Sequence, residues 1–273
     1  MITHLSAVVI THNSAAKLAP CLDSLREVTH DIVVVDSGST DATRQICLDR
    51  HVRFYERAWT GYSDQKNYGN ALAKHDWILS LDADERLSPE LIESIREAFA
   101  QPLAVEAFDL RFRTHFAAKP IRFGGWNPES HVRLFDKRLI EWNSDAVHEG
   151  LTLRPEHQIG RLTGYVHHFT VDTPAELKAK TDRYSALYGQ RAAQAGKQAS
   201  WVKVWGSPVF RFLVDYVLKL GFLDGAAGWL IARESARYTH LKYRYLLALT
   251  QQQAEADFVP DSEYAASLAE LTA

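Results

Sequence analysis

The sequence predicts an α/β fold, a mostly parallel sheet with helices on both faces, followed by a helical carboxyl-terminal region. Three observations carry this. Apolar, β-branched runs alternate with helical patterns from the amino terminus, and each run ends in polar residues. After Phe169 the alternation stops and only helical spacing continues. A chain of 273 residues that is 46% hydrophobic can also bury a full core.

Taken in order, "LSAVVITHN" reads as a first strand and "AAKLAPCLDSLREV" as the helix after it. "DIVVVDSGSTDATRQICLDR" repeats the pattern as strand, Gly/Ser turn and helix, with Ser39, Thr40 and Asp41 as capping candidates. "VRFYER" is a third short strand, "SDQKNYGNALAKH" a helix and "DWILSLDADE" a fourth strand. Continuous apolar strands separated by helices mean a parallel sheet covered on both sides. "RLTGYVHHF" is a later strand, and Thr173 with Pro174 starts the helical region. The final stretch from Gln251 reads as a polar, partly ordered end.

Composition excludes several classes. Cys21 and Cys47 are too few for a disulfide framework and lack metal-ligand spacing, so both read as core or helix residues. The start "MITHLSAVVITHN" has no basic flank, long apolar core or small-residue cleavage site, which predicts a cytoplasmic protein. No nucleic-acid partner is expected. Between Gly196 and Thr250, eight basic against three acidic side chains leave that segment at +5 and the rest at −8, for a total of −3. An anionic surface is the natural partner of such a segment.

In open parallel sheets, ligands bind beyond the carboxyl ends of the strands. Three polar clusters fall at such ends: Thr11-His12-Asn13, Asp36-Ser37-Gly38-Ser39 and Asp82-Ala83-Asp84. Side by side, they converge on one crevice suited to a nucleotide. Neither G-x-G-x-x-G after the first strand nor a P-loop is present. Two carboxylates one residue apart at a strand end, Asp82 and Asp84, can share magnesium or manganese, which then neutralises a diphosphate on its other side. Glu85 and Arg86 read as the start of the next turn before Pro89, with no role in catalysis.

Together "VVITHN", "VVVDSGSTD" and "QKNYGNALAKHDWILSLDADE" resemble the family 2 glycosyltransferases of GT-A fold, over roughly residues 5 to 170. "GGWNPESHVRLFD", "DAVHEGL" and "YVLKLGFLDGAAGW" are similar to the lipopolysaccharide or lipooligosaccharide core glucosyltransferase subgroup. The resemblance implies a catalytic domain over residues 1–170, with a nucleotide-sugar half to about 88 and an acceptor half over 89–170, and a helical region over 171–273. It implies that Thr11, Asn13 and Asp36 border the base, with Asp36 accepting from a uracil imide. One acid in "DSGS", where many members have two, leaves that contact to Asp36 alone. It further implies that Lys66 and Asn67 order ribose and diphosphate, that Asp82 lies near the ribose and metal waters, and that Asp84 ligates the metal directly.

Such members invert the anomeric centre, which needs a general base on the acceptor hydroxyl opposite the leaving diphosphate. Glu129, Asp136, Asp145 and Glu149 are candidates; the similarity of "VHEGL" to the family's V-H-E segment selects Glu149, with Asp145 next. His148 then reads as a packing or acceptor-side residue. Arg133 matches an arginine near the donor phosphates, where a planar guanidinium suits paired oxygens. "GGWNP", with Trp126 and Asn127, reads as a mobile acceptor loop. His167 or His168 can supply a late metal ligand, though a core or loop role is the commoner one.

The helical region holds "WVKVWGSPVFRFLVDYVLKLGFLDGAAGWLIA", rich in large apolar residues but broken by charges, with no uncharged run of the length a bilayer span needs. Basic residues beside Trp suit a helix lying on an anionic membrane. The same surface can instead pack on the catalytic domain or on a second copy of the chain. The whole reads as a metal-dependent inverting hexosyltransferase, peripheral on the inner face of the cytoplasmic membrane. Its expected donor is UDP-glucose and its acceptor a lipid A-core glycolipid. The alternatives are a sugar nucleotidyltransferase, for which "THNSAAKLAPC" lacks the Gly-rich basic loop, and an inactive membrane-surface binding module.

Overall fold

The computed structural model describes residues 2–143 and 150–257. It has the predicted α/β class with a helical carboxyl-terminal region, divided into two compact units: residues 1–122 with 126–172, and residues 123–125 with 173–273.

In the first unit, β1 (Leu5–Thr11), α1 (Ala15–Arg26), β2 (Asp31–Asp36), α2 (Thr43–Asp49), β3 (Arg53–Glu56), α3 (Tyr62–Leu72) and β4 (Trp77–Asp82) follow the predicted alternation. Then come β5 (Glu85–Leu87), α4 (Pro89–Phe99), β6 (Ala107–Phe116), β7 (Lys119–Pro120), β8 (Glu129–Asp136), β9 (Ile159–Arg161) and β10 (Val166–Val171). All join one sheet in the order β3-β2-β1-β4-β8-β6-β10-β5, with β7 and β9 paired to β6. The first four strands are parallel. The strands after α4 make the sheet mixed, because β8 runs antiparallel to both β4 and β6.

Alternation along each strand explains the double cover. Leu5, Ala7 and Val9 of β1, with Ile32 and Val34 of β2, join the core that contains Leu18, Cys21, Leu22 and Leu25 of α1. Val8, Ile10, Val33 and Val35 face the other way, where Tyr68 and Leu72 of α3 pack. Gly69 permits this: a Cβ there would lie 2.4 Å from the Val8 side chain. Helix α4 starts as the sequence implies, with Ser88 accepting from the Leu91 N–H at 3.2 Å and Pro89 in the first turn. Helix α2 does not begin at Ser39 or Thr40. It begins after Ala42, and Asp41 accepts from the Thr43 N–H while also tying down Ala15 N.

The second unit comprises α5 (Pro174–Gln194), α6 (Trp201–Leu213) and α7 (Gly225–Asp257), with a π-helical turn at Val214–Leu218 and a 3₁₀ turn at Gly221–Asp224. Thr173 caps α5 through the Glu176 N–H. Ala192, Ala193 and Leu246 join α5 to α7, and Gly189 allows close approach of Tyr245. The polar end expected from Gln251 begins as the last turns of α7. Among the described residues, no helix is long and apolar enough to cross a membrane.

A buried carboxylate locks the entry to the sheet. Asp31 accepts from Ser6 Oγ at 2.6 Å, Lys74 N at 2.9 Å and Arg53 Nη1 at 2.9 Å. Burial pushes its carboxyl up, but these donors outweigh that and hold it below the usual range. Its contribution to stability is therefore complete above the unfolded-state value and fades as pH falls through the folded one. Asp31→Asn should cost about 1–3 kcal/mol at neutral pH and flatten the acid limb of the stability profile, measured by urea denaturation across the acid range.

Candidate active site

Register brings the three polar clusters to one level. Thr11 pairs with Asp36, and Ile10 pairs with Asp82, so the carboxyl ends of β2, β1 and β4 stand side by side. Thr11 is buried, and its hydroxyl has no hydrogen-bond partner among the described residues. Asp36 is buried too, but it serves its own turn: Oδ2 accepts from Gly38 N and Ser39 N at 2.9 and 2.7 Å, and Oδ1 from the Ser39 hydroxyl at 2.5 Å. Asn13, in the left-handed region at φ 48°, links the first loop to the second through Ser39 Oγ and Thr40 N.

Asp82, at the end of β4, is met by two cations. Lys66, 1% exposed on α3, puts Nζ 3.2 Å from Asp82 Oδ1, and Arg133 on β8 puts Nη2 3.7 Å from Oδ2. Burial alone would raise the Asp82 carboxyl; Lys66 and then Arg133 outweigh it and hold it at about 2. Glu85 is the residue that sequence reasoning set aside. Its carboxylate is 2% exposed, accepts from Asp82 N at 2.8 Å and lies 3.9 Å from Arg133. Burial and the neighbouring Asp82 push it up to about 7. Alternation carried the signal: Leu87 is a core residue of the short strand β5, so Glu85 shares its face.

Asp84 stands apart from these cations. Its Oδ2 faces His168 Nε2 at 3.5 Å, both side chains being about 30% exposed, and Asp84 O accepts from Phe169 N. The antiparallel pairing of β5 with β10 makes the match by setting His168 opposite Glu85. His167 points to the other face, where its Nδ1 lies 2.9 Å from His115 Nε2. Burial pushes both of these rings down. Among the described residues, no group of three or more His, Cys, Asp and Glu side chains gathers for a metal. Asp84 and His168 form a two-residue set with mixed oxygen and nitrogen donors, which suits an ion completed by substrate phosphate oxygens.

Trp142 stands against the same two cations. Asn67, expected against ribose and diphosphate, spends both ends of its amide on that residue: Nδ2 donates to Trp142 O at 2.8 Å and Oδ1 accepts from Trp142 N at 3.0 Å. The indole carries Lys66 Nζ at 4.5 Å and the Arg133 guanidinium at 5.4 Å from the ring centre. Beyond it, Asn143 N donates to Gly150 O and Gly150 N to Asn143 Oδ1, next to a bridge between Trp142 and Leu151. These bonds clasp the two ends of the segment that holds Asp145, His148 and Glu149, which lie outside the described residues. Glu129 is engaged by His131 at 2.7 Å and Asp136 by Arg138 at 2.5 Å.

The "GGWNP" stretch is not a free loop. Gly124–Trp126 forms a 3₁₀ turn, Phe123 N donates to Asp224 Oδ2 at 2.8 Å and Gly124 N to Lys219 O at 2.9 Å. Trp126 is half-buried, and Asn127 Nδ2 donates to Ile121 O at 2.7 Å. Asn127 lines a cavity of about 700 Å³ with Arg111 and Arg113. Alternation on β6 sets those arginines on the face opposite Phe112, over whose ring Arg133 lies. Phe112 and Glu129 line the same cavity as Asn127.

The chain belongs to glycosyl transferase family 2, whose model matches residues 6–144. It is 32% identical over 250 residues to the lipopolysaccharide core biosynthesis glycosyltransferase LpsC of Rhizobium meliloti (strain 1021), covering 87% of this chain and 89% of that one. An uncharacterized glycosyltransferase of Rickettsia bellii (strain RML369-C) is 27% identical over 237 residues, 82% of this chain and 80% of that one. Among solved structures, S. aureus TarS 1-349 in complex with UDP-GlcNAc matches with a TM-score of 0.46 and 12% identity, over 88% of this chain and 91% of that one.

Lys66→Met keeps the stem and removes the charge, leaving the buried oxygen of Asp82 without its cation. It should lower stability by about 1–3 kcal/mol in urea denaturation. Adding Asp82→Asn should recover most of the loss, because both members of the pair are then gone. A Lys66→Met protein as stable as the parent would show that the pair does not hold this corner together.

Proposed function

We propose that the chain is a divalent-metal-dependent, inverting hexosyltransferase. Its donor is UDP-glucose and its acceptor a lipid A-core glycolipid at the inner face of the cytoplasmic membrane. The observation that carries the reading is the pairing of Asp84 with His168 at 3.5 Å, beside a crevice in which Lys66 and Arg133 supply positive charge. The name of the relative LpsC supports a lipopolysaccharide core acceptor. A manganese or magnesium ion held by Asp84 and His168 would offset negative charge on the departing diphosphate.

The chain's own residues divide the remaining work. Thr11, Asn13 and Asp36 border the place of the base, with the Thr11 hydroxyl and the ordered 37–39 turn facing it. Asp82 lies on the ribose side. Arg133 and Lys66, held by Asp82 and Trp142, keep fixed positive charge where the diphosphate departs. Asn67 acts on the other partner: by gripping the Trp142 main chain it positions the neck of the segment that bears Glu149. Glu149 takes the proton from the acceptor hydroxyl as the oxygen attacks the anomeric carbon opposite the diphosphate, and His148 and Trp126 border the acceptor.

Glu149→Gln should lower kcat by about 10²–10⁴-fold with little change in donor KM, whereas Asp145→Asn should change kcat far less. A radiolabelled transfer assay over a panel of nucleotide sugars, with and without manganese, reads both this and the donor. Asp84→Ala should abolish transfer; a variant that kept full metal-stimulated transfer would overturn the reading, and an active parent excludes the inactive binding module.

A further inference from the structure

Helix α6 is turned inside out. Trp201, Val202, Trp205, Val209 and Phe210 of α6, with Leu218 of the π-helical turn, are 61–79% exposed, while only Val204 of α6 is buried. At 100° per residue the five α6 positions span one half of the cylinder. The polar pattern is inverted to match. Asp215 and Asp224, the two acids between Lys197 and Asp224, are 0% and 4% exposed. Asp215 lies 2.7 Å from Arg211 Nε, and Asp224 accepts from Phe123 N. Lys197, Lys203 and Lys219 are exposed. Every fully exposed charge along this stretch is therefore positive, and it borders a broad apolar surface.

We propose that this face docks the protein on an anionic lipid bilayer, with the aromatic and aliphatic side chains at the headgroup level and the lysines on the lipid phosphates. The inference deepens the reading of a bilayer-anchored acceptor and rests on it for its purpose. Charge decides the occupant. A second copy of the chain meeting this face about a two-fold axis would set lysine rims of the same sign together, with no exposed acid in the stretch to answer them. An anionic leaflet neutralises each one, and a run of exposed large apolar side chains rimmed by charge marks an interaction site. No described helix is long and apolar enough to cross the bilayer, so the contact lies in its surface.

Vesicle sedimentation of the full chain tests this, with phosphatidylcholine alone and with phosphatidylcholine containing phosphatidylglycerol. Binding should require the anionic lipid and weaken with salt. Val202→Glu with Phe210→Glu should remove it without lowering thermal stability, since both side chains are exposed. Lys203→Gln and Lys219→Gln should each weaken it by about fivefold. Equal binding to neutral vesicles would overturn the proposal. So would a parent that stays in the supernatant while light scattering shows a dimer that the glutamate variants break. Neither donor nor acceptor is present, so failed sedimentation leaves the transfer reading standing, and failed sugar transfer leaves the docking surface standing.

Discussion

The charge on Asp82 is the constraint around which the catalytic unit is arranged. A carboxylate ending a buried strand, with Asp84 and Glu85 close behind it, is tolerable only if cations reach it from elsewhere in the fold. One comes from α3 and the other from β8, strands away in sequence. Lys66 can reach only because Gly69, one turn further on, lets α3 lie close against β1. Arg133 can reach only because β8 inserts antiparallel between β4 and β6. Both cations also touch the Trp142 indole, so the charge balance around Asp82 and the main chain gripped by Asn67 meet at one aromatic ring.

The first half of the fold was legible because parallel strands write themselves as uninterrupted apolar runs. Val8, Val9, Val33 and Val34 are buried whichever way they point. The same reading placed Thr11, Asp36 and Asp82 at strand ends, where register then aligned them. What stayed hidden depends on pairing between distant segments. Nothing local distinguishes His168 from His167; only the antiparallel match of β10 to β5 turns one toward Asp84 and the other toward His115. Glu85 reads as a turn residue because its one local signal, the spacing to Leu87, lies in a strand of only three residues. Asn67 sat inside a recognisable motif, yet its partner is the main chain of Trp142, 75 residues away, and main-chain partners leave no trace in side-chain patterns.

Polarity in the helical region was read from composition, and composition does not say which side of a helix faces out. Ordinarily the apolar stripe marks the buried face. Here α6 buries Val204, and the turn after it buries an aspartate, while its tryptophans stand in the open. Glycines make room for Asp215: a Cβ on Gly125 would run into its carboxylate, and one on Gly221 into its main-chain oxygen. Small residues at these places are what allow a carboxylate to turn inward and leave the outer surface free of negative charge.

The turn at 123–125 carries a further meaning. It leaves the catalytic unit's chain, lays Phe123 N on Asp224 and Gly124 N on Lys219, and returns at Trp126. The helical unit is therefore not a tail that shuffling could append or remove at a single junction. Its inheritance is bound to three residues embedded in the other unit's sequence. A cut after Asp172 would separate the Phe-Gly-Gly turn from Asp224 and Lys219, its hydrogen-bond partners.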